Sequence, residues 1–245
     1  MSENWKAKMT AAEENRLAII GGWMEKGVHF PCPDGVLIDP EVTIGAGTTI
    51  EPGVILKGHT VIGENCTITA GSRIEDCVIG NETTINASQC YHSRLGDQVS
   101  VGPFSHIRPD SVLEDHVHVG DFVEIKNSVI GVGTAVAHLT YVGDSDVGRN
   151  VNFGCGCVTV NYDGVHKNRC RIGDAAFIGC NTNLIAPVTV GDRVFIAAGS
   201  TITDSLETGD FAIAHIAYLE KYDIINGYED GTFRPDAEIT RAEFV

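Results

Sequence analysis

Aliphatic residues recur every sixth position through most of the chain. The repeat holds without a break from Ile38 to Ile74, shifts by one residue to Ile79, resumes from Leu95 and ends at Ile202. This period matches neither the turn of a helix nor the alternation of a simple strand. It fits coils of short strands, each with one inward aliphatic residue followed by a turn. The sequence therefore predicts a parallel β-solenoid whose stacked coils bury columns of aliphatic side chains.

An N-terminal helix is predicted over residues 5–27, where the apolar spacing becomes helical. Its apolar face is predicted to hold Ala11, Leu17, Ile20 and Met24. The repeat stops after Leu206. We therefore expect three parts, with a helix and linker over 1–35, the solenoid over 36–206 and a separate tail over 207–245.

Composition and charge narrow the possible partners. Glycine is abundant (28 residues) and aromatic residues make up only 7%, as expected for a thin aliphatic core turned by glycines. The formal net charge of −16 repels nucleic acid and anionic membranes, so neither is an expected partner. The same charge repels a phosphorylated substrate, so a site for one must be locally basic.

The cysteines and the N-terminus indicate a reducing compartment. The eight cysteines lack the paired spacing of a zinc or redox motif, and several fall where the repeat needs a small buried residue. The N-terminal segment is charged and amphipathic and lacks the apolar run of a signal peptide. We expect a cytoplasmic protein with reduced thiols.

The densest polar region extends from Arg108 to Arg171 and includes a loop, residues 158–171, that breaks the repeat. Such loops on a regular scaffold often carry function. The segments GPFSHIRPDS, VGDFVEIKN, AHLTYVGD, VGRNVNFGCG and TVNYDG follow one another here. In order and spacing they resemble the acetyltransferase domain of the bifunctional N-acetylglucosamine-1-phosphate uridyltransferase/glucosamine-1-phosphate acetyltransferase family. The resemblance covers roughly residues 10–205, and no nucleotide-binding loop of a uridyltransferase half precedes the repeats.

The resemblance implies a fold and a reaction. The fold is an all-β, left-handed parallel β-helix of hexapeptide repeats, with an N-terminal helix and a short C-terminal helical or loop tail. The reaction moves the acetyl group of acetyl-CoA to glucosamine 1-phosphate, for UDP-N-acetylglucosamine and cell-wall synthesis. The family also implies a homotrimer, and no metal is expected for the transfer itself.

The resemblance makes His138, in AHLTY, the catalytic base. A neutral imidazole suits that task near neutral pH, because the sugar amine must lose a proton as it attacks the thioester. A hydrogen-bonded structural histidine is the alternative. Glu124 is a candidate to orient His138, or else an ordinary carboxylate on a strand face.

Arg108, Lys126, Tyr141 and Asn152 match the family's sugar-phosphate ligands. Arginine gives a phosphate paired hydrogen bonds and lysine adds a point charge. The alternatives are ordinary surface charges for the first two, and turn or ladder residues for the others.

For acetyl-CoA the resemblance implies Cys155, Asn161, Tyr162, Cys180, Ala198 and His215. Cys155 and Cys180 stand where the family often has alanine and serine. His215 stands where the family commonly has an arginine on the CoA phosphates, and Lys167 and Arg169 are nearby cations that would compensate. Residues 161–164 alternatively form a simple turn.

Two rival functions remain open. His116 and His118 lie two apart, so on a strand they share a face, and with His138 they are a candidate zinc site of a metal-dependent lyase. Two exposed strand histidines are the simpler interpretation. A non-catalytic scaffold that displays the tail is the second rival.

The tail has its own signature. Residues 218–245 resemble part of a surface-layer homology repeat, a module class that binds cell-wall polysaccharide. Thr240 and Glu243 form a capping box for a helix that the sequence ends too soon to complete. We therefore expect cell-wall polysaccharide not to be a partner.

Overall fold

The computed structural model describes residues 3–208 as one helix followed by short strands wound into a β-solenoid of about nine turns. In the described residues the elements are α1 (Glu3–Glu25), β1 (Leu37–Ile38), β2 (Thr43–Ile44), β3 (Thr49–Ile50), β4 (Ile55–Lys57), β5 (Val61–Ile62), β6 (Thr67–Ile68), β7 (Arg73–Glu75), β8 (Val78–Ile79), β9 (Thr84–Ile85), β10 (Gln89–Tyr91), β11 (Arg94–Leu95), β12 (Ser100–Val101), β13 (His106–Ile107), β14 (Val112–Leu113), β15 (His118–Asp121), β16 (Glu124–Lys126), β17 (Val129–Ile130), β18 (Ala135–His138), β19 (Tyr141–Gly143), β20 (Ser145–Val147), β21 (Asn152–Phe153), β22 (Val158–Val160), β23 (Cys170–Ile172), β24 (Phe177–Ile178), β25 (Asn183–Ile185), β26 (Thr189–Val190), β27 (Phe195–Ile196) and β28 (Thr201–Ile202).

Every third strand belongs to the same parallel sheet. Within the described residues the first sheet runs β1-β4-β7 and onward to β28, the second β2-β5-β8 to β26, and the third β3-β6-β9 to β27. Paired strands come from consecutive coils, so each coil contributes one strand to each of three faces. The predicted left-handed parallel β-helix is confirmed.

The repeat's aliphatic residues form the core, as predicted. Most strands bury one residue, and the repeat positions named above, from Ile38 to Ile202, are all buried. Cys90 and Val142 also fill inward strand positions. Cysteine fits these places because it behaves as a small apolar side chain when buried.

The N-terminal helix was predicted correctly in kind but not in its end or its buried face. It ends at Glu25, because Gly27 adopts a positive φ of 88° and its N–H bonds the carbonyl of Met24. Of the predicted face only Ile20 is buried, whereas Leu17 (45%) and Met24 (53%) are exposed. Ala11 is exposed as well.

Arg16 explains the helix's orientation. Its Nη1 donates to the carbonyl oxygens of Pro33 (2.6 Å) and Val36 (3.2 Å), at the start of the solenoid. This anchor turns the side of the helix that carries Ile20 and Trp23 toward the core. A helical repeat in the sequence cannot show such an anchor.

The predicted tail, including Thr240 and Glu243, lies outside the described residues. The three domain boundaries stay a prediction. Among the described residues, no helix has the length and apolarity needed to cross a membrane.

Candidate active site

His138 is paired with a carboxylate on the neighbouring coil. Strands β15 and β18 are four residues long, and their pairing extends to Asp121 opposite His138. The Oδ1 atom of Asp121 lies 2.8 Å from Nδ1 of His138. Both side chains remain open to solvent, 40% exposed for Asp121 and 59% for His138.

This pairing sets the role of each ring nitrogen. The hydrogen bond from His138 holds the pKa of Asp121 below its ordinary value, so the carboxyl is ionised at neutral pH. An ionised carboxylate only accepts hydrogen bonds, so Nδ1 of His138 carries the proton and Nε2 keeps a lone pair. The ring is thus equipped to accept a proton at Nε2.

The structure gives Glu124 a different partner from His138. Glu124 lies beyond the turn at Phe122, on β16 of the first sheet, where its Oε1 lies 2.6 Å from Nη1 of Arg108. The sequence missed Asp121 as the partner. The 17-residue spacing of the two residues is one coil and was the available signal.

Lys126, on β16, and Lys167, in the loop after β22, form a basic centre. Nζ of Lys126 lies 3.7 Å from Oδ2 of Asp144. The side chain of Lys126, through a hydrogen bond and then through its charge, lowers the pKa of Lys167, so the two amino groups lie close together. Lys167 is therefore a neighbour of Lys126, for which the resemblance implies contact with the sugar phosphate.

Asp144 is a buried carboxylate that contacts the basic centre through Lys126. Burial raises its pKa, but hydrogen bonds from Asn127 and Asn161 and the charges of Lys126 and Lys167 outweigh burial and leave the pKa lowered. Nδ2 of Asn127 lies 2.5 Å from Oδ1. Asp144 is only 5% exposed, yet these interactions keep it charged beside Lys126. Sequence reasoning missed this residue.

Asn161 joins the loop to the basic centre. It is buried, donates to Oδ2 of Asp144 and lies 3.3 Å from the hydroxyl of Tyr141. The predicted sharp turn is present, since Asp163 accepts hydrogen bonds from the N–H groups of Val165 and His166. Tyr162 is exposed on this loop.

A single column at one corner of the β-helix holds four of the predicted residues. Equivalent backbone hydrogen bonds link successive coils: Leu139 N to Asp121 O, Gly156 N to His138 O (3.3 Å), Asn181 N to Cys155 O (2.8 Å) and Gly199 N to Cys180 O (2.7 Å). The column therefore runs Asp121, His138, Cys155, Cys180, Ala198. The predicted acetyl-CoA residues Cys155, Cys180 and Ala198 stand in line with the candidate base.

Asn152 lies on a different face from the other predicted sugar-phosphate residues. It is exposed on β21 of the third sheet, whereas Arg108 and Lys126 lie on the first sheet. Arg169 is paired with Asp146, with Nε 2.8 Å from Oδ2, and also donates to the carbonyl of Asn127. His215 lies outside the described residues.

The described histidines do not form the zinc site of the rival hypothesis. Nδ1 of His118 lies 2.7 Å from Oγ of Ser100, and His116 sits in a turn with φ of 61° at the far end of β15 from Asp121. In residues 3–208, no three His, Cys, Asp or Glu side chains converge in a way that would hold a metal ion. These donors give the metal-dependent lyase no support.

The fold and repeats define the class: this chain is a hexapeptide-repeat β-helix protein. The model for the bacterial transferase hexapeptide (six repeats) matches residues 41–76, 92–127 and 169–204. A solved UDP-N-acetylglucosamine acyltransferase from Arabidopsis has the same fold, with a TM-score of 0.52 at 12% identity over 78% of this chain and 76% of that one.

More specific relatives bear the name Bifunctional protein GlmU. The protein from Listeria monocytogenes serotype 4b is 48% identical over 84% of this chain and 46% of its own length. The protein from Clostridium beijerinckii is 50% identical over 86% of this chain and 47% of its own length. The chain thus spans about half the length of the curated relatives it matches, and the resemblance to their acetyltransferase half is confirmed.

The tail matches a different family model. The S-layer homology domain matches residues 201–245, of which all beyond residue 208 lie outside the described part of the chain.

Proposed function

We propose that this chain transfers the acetyl group of acetyl-CoA to the amine of glucosamine 1-phosphate. The proposal rests on two features of one chain, the Asp121–His138 pair and the basic centre formed by Lys126 and Lys167. A base with a free lone pair and a clustered pair of ammonium groups suit a substrate with both an amine and a phosphate. The product, N-acetylglucosamine 1-phosphate, would serve UDP-N-acetylglucosamine and cell-wall synthesis in the cytoplasm.

The reaction proceeds by direct attack. The amine nitrogen bonds the thioester carbonyl carbon, and Nε2 of His138 accepts the proton that the nitrogen loses. The tetrahedral intermediate then expels the CoA thiolate, which takes that proton from His138. Asp121 holds the ring in the required tautomer and stabilises its charged form during the step.

The phosphate is placed by Lys126 and Lys167, with Arg108 at the adjacent coil. Arg108 is bound to Glu124 in the chain alone, so it must share its guanidinium with the substrate or exchange partners. Acetyl-CoA is proposed to lie along the corner column of Cys155, Cys180 and Ala198, which leads directly to His138.

A thiol-release assay tests the proposal. Purified chain should release CoA only when both acetyl-CoA and glucosamine 1-phosphate are present. His138→Ala should lower kcat by about 10²–10⁴-fold, the usual cost of losing a general base. His118→Ala is the matched control, because it removes an exposed histidine of the same sheet that bonds Ser100. Near-normal turnover of His138→Ala would remove His138 from the mechanism.

A further inference from the structure

The cysteines fall into two chemical groups. Cys66, Cys77, Cys90, Cys157 and Cys170 are buried, and burial raises the pKa of each thiol, to about 11 for Cys77. Thiols of this kind are poor nucleophiles because the reactive form is the thiolate. Cys180 is exposed and Cys155 is half-buried. Cys155 and Cys180 are therefore, with Cys32, the described cysteines that are accessible to solvent.

Cys155 and Cys180 are neighbours in space although 25 residues separate them in sequence. They occupy equivalent corners of consecutive coils, since the N–H of Asn181 donates to the carbonyl of Cys155 at 2.8 Å. Paired strands lie about 4.8 Å apart, and disulfides join Cα atoms about 4.4–6.8 Å apart. This general spacing between coils lies within the range that a disulfide can bridge.

The side chain of Cys180 leans toward the coil of Cys155. A Cβ atom placed on Gly154 would lie 2.9 Å from Sγ of Cys180, so this sulfur rests against the turn that carries Cys155. Gly154 has no side chain to keep the sulfur away. The two cysteines are therefore neighbours, and the sulfur of Cys180 lies against the turn that carries Cys155. Together they form a candidate dithiol.

We propose that Cys155 and Cys180 are a dithiol modification site that reacts with small-molecule disulfides such as glutathione disulfide or CoA disulfide. The Cys180 thiolate attacks one sulfur of the small disulfide, forming a mixed disulfide and releasing one thiolate. Cys155, deprotonated by solvent, then attacks Sγ of Cys180 and releases the second thiolate. One protein disulfide forms, the small disulfide is reduced to two thiols, and atoms and electrons balance.

The two cysteines lie on the same corner column as His138, the candidate base. Cys155 is the next member of the column after His138. A disulfide between Cys155 and Cys180 fixes two side chains on the surface where acetyl-CoA is proposed to lie. Oxidation should therefore lower acetyl transfer and reduction restore it, a consequence that rests on the proposed function.

The test treats the full, reduced chain with glutathione disulfide. Intact mass should show loss of two hydrogen atoms, alkylation should find two fewer thiols, and peptide mapping should join the segments around Cys155 and Cys180. Cys180→Ser should instead carry at most one glutathione on Cys155 and no internal cross-link. Cys32→Ser, a half-buried cysteine beside the N-terminal helix, should cross-link like the parent chain.

Each outcome is decisive. Two separate mixed disulfides, or unchanged thiol counts, would overturn the dithiol site whether or not the chain is an acetyltransferase. Activity of each variant is compared with its own reduced sample. Formation of the cross-link with unchanged turnover would overturn the link to His138 and leave the modification site. A reduced chain without turnover would instead overturn the proposed function.

Discussion

At the scale of single residues, the pair of Asp121 and His138 matters for orientation more than for stability. Both side chains are open to solvent, where a polar pair adds little to folding stability. Their hydrogen bond nevertheless selects the tautomer that leaves Nε2 of His138 free. Asp121 is therefore a positioning residue, which acts on the reaction through His138.

Two substitutions of Asp121 test its effect on the tautomer of His138. Asp121→Ala removes the acceptor for Nδ1, and we expect a kcat loss of about 10²-fold, within the range for disturbing a general base. Asp121→Asn keeps the size of the side chain, but its amide can donate as well as accept and so no longer selects one tautomer. We therefore expect kcat to fall for this variant too.

Glu124→Gln provides the contrast for these variants. Its carboxylate pairs with Arg108, so we expect its main effect on KM for the sugar phosphate and little change in kcat. Steady-state kinetics would measure kcat and KM for each variant. An unaltered kcat in Asp121→Ala would contradict the positioning role.

At the scale of elements, the extra length of β15 and β18 creates the site. Neighbouring strands of the same sheet, such as β12 and β21, have only two residues. The longer pair continues through Gly120 to bring Asp121 opposite His138. A Cβ atom on Gly120 would lie only 1.9 Å from the carbonyl oxygen of Ala137. The close pairing therefore requires glycine at this position.

Gly120→Ala should disrupt this pairing. The added methyl group meets backbone, which cannot swing aside, so we expect a loss of about 1–3 kcal/mol in unfolding free energy, as for other overpacked sites. Because the shift falls beside Asp121, kcat should fall as well. Thermal unfolding and the thiol-release assay would measure the two effects.

Gly22→Ala in α1 is the matched control. Nothing lies within 4 Å of the position of its new Cβ, and alanine is favoured over glycine in helices by about 0.5–1 kcal/mol. This variant should be at least as stable as the parent chain. Parent-like stability and activity of Gly120→Ala would contradict the requirement for close approach.

At the scale of the whole molecule, the predicted site residues lie on two faces of the β-helix. Arg108, Lys126 and Tyr141 face outward from the first sheet, while Asn152 faces outward from the third. A convex corner between two faces cannot enclose a small substrate. A second copy that presents its third sheet to the first sheet of its neighbour would complete the site. A closed trimer with three-fold symmetry would form one complete site for each copy.

The corner between those faces also carries exposed apolar side chains. Phe104 and Phe122 stack with ring centroids 5.6 Å apart, and Leu139 follows on the next coil. All three have positive φ, which is uncommon for bulky residues. We propose that a neighbouring copy covers this corner in a homotrimer.

Subunit complementation tests the shared site. Lys126→Ala and Asn152→Ala chains, each expected to be impaired, are co-expressed with separate affinity tags and purified as mixed assemblies. If one copy supplies Lys126 from its first sheet and its neighbour supplies Asn152 from its third, some sites in the mixture are intact and activity should exceed the sum of the parents. Light scattering should show three copies. An active monomer, or no gain on mixing, would contradict the shared site.

The sequence by itself determined the β-helix and its core, and it indicated a candidate site. A six-residue repeat is a local property, because each inward aliphatic residue and each turn is specified within its own hexad. The buried column from Ile38 to Ile202 therefore followed directly from spacing. The motifs around His138 and Lys126 were equally local, so the resemblance found them.

The tertiary structure decided which residues meet across coils. Asp121 is 17 residues from His138, and Cys155 is 25 residues from Cys180, since the loop lengthens that coil. Glu124 is closer in sequence to His138 than Asp121 is, yet a turn sends it to another face, where Arg108 binds it. The buried face of α1 likewise depended on hydrogen bonds from Arg16 to distant carbonyls. Contacts of this kind depend on coil length and turn direction, which a repeat pattern leaves open.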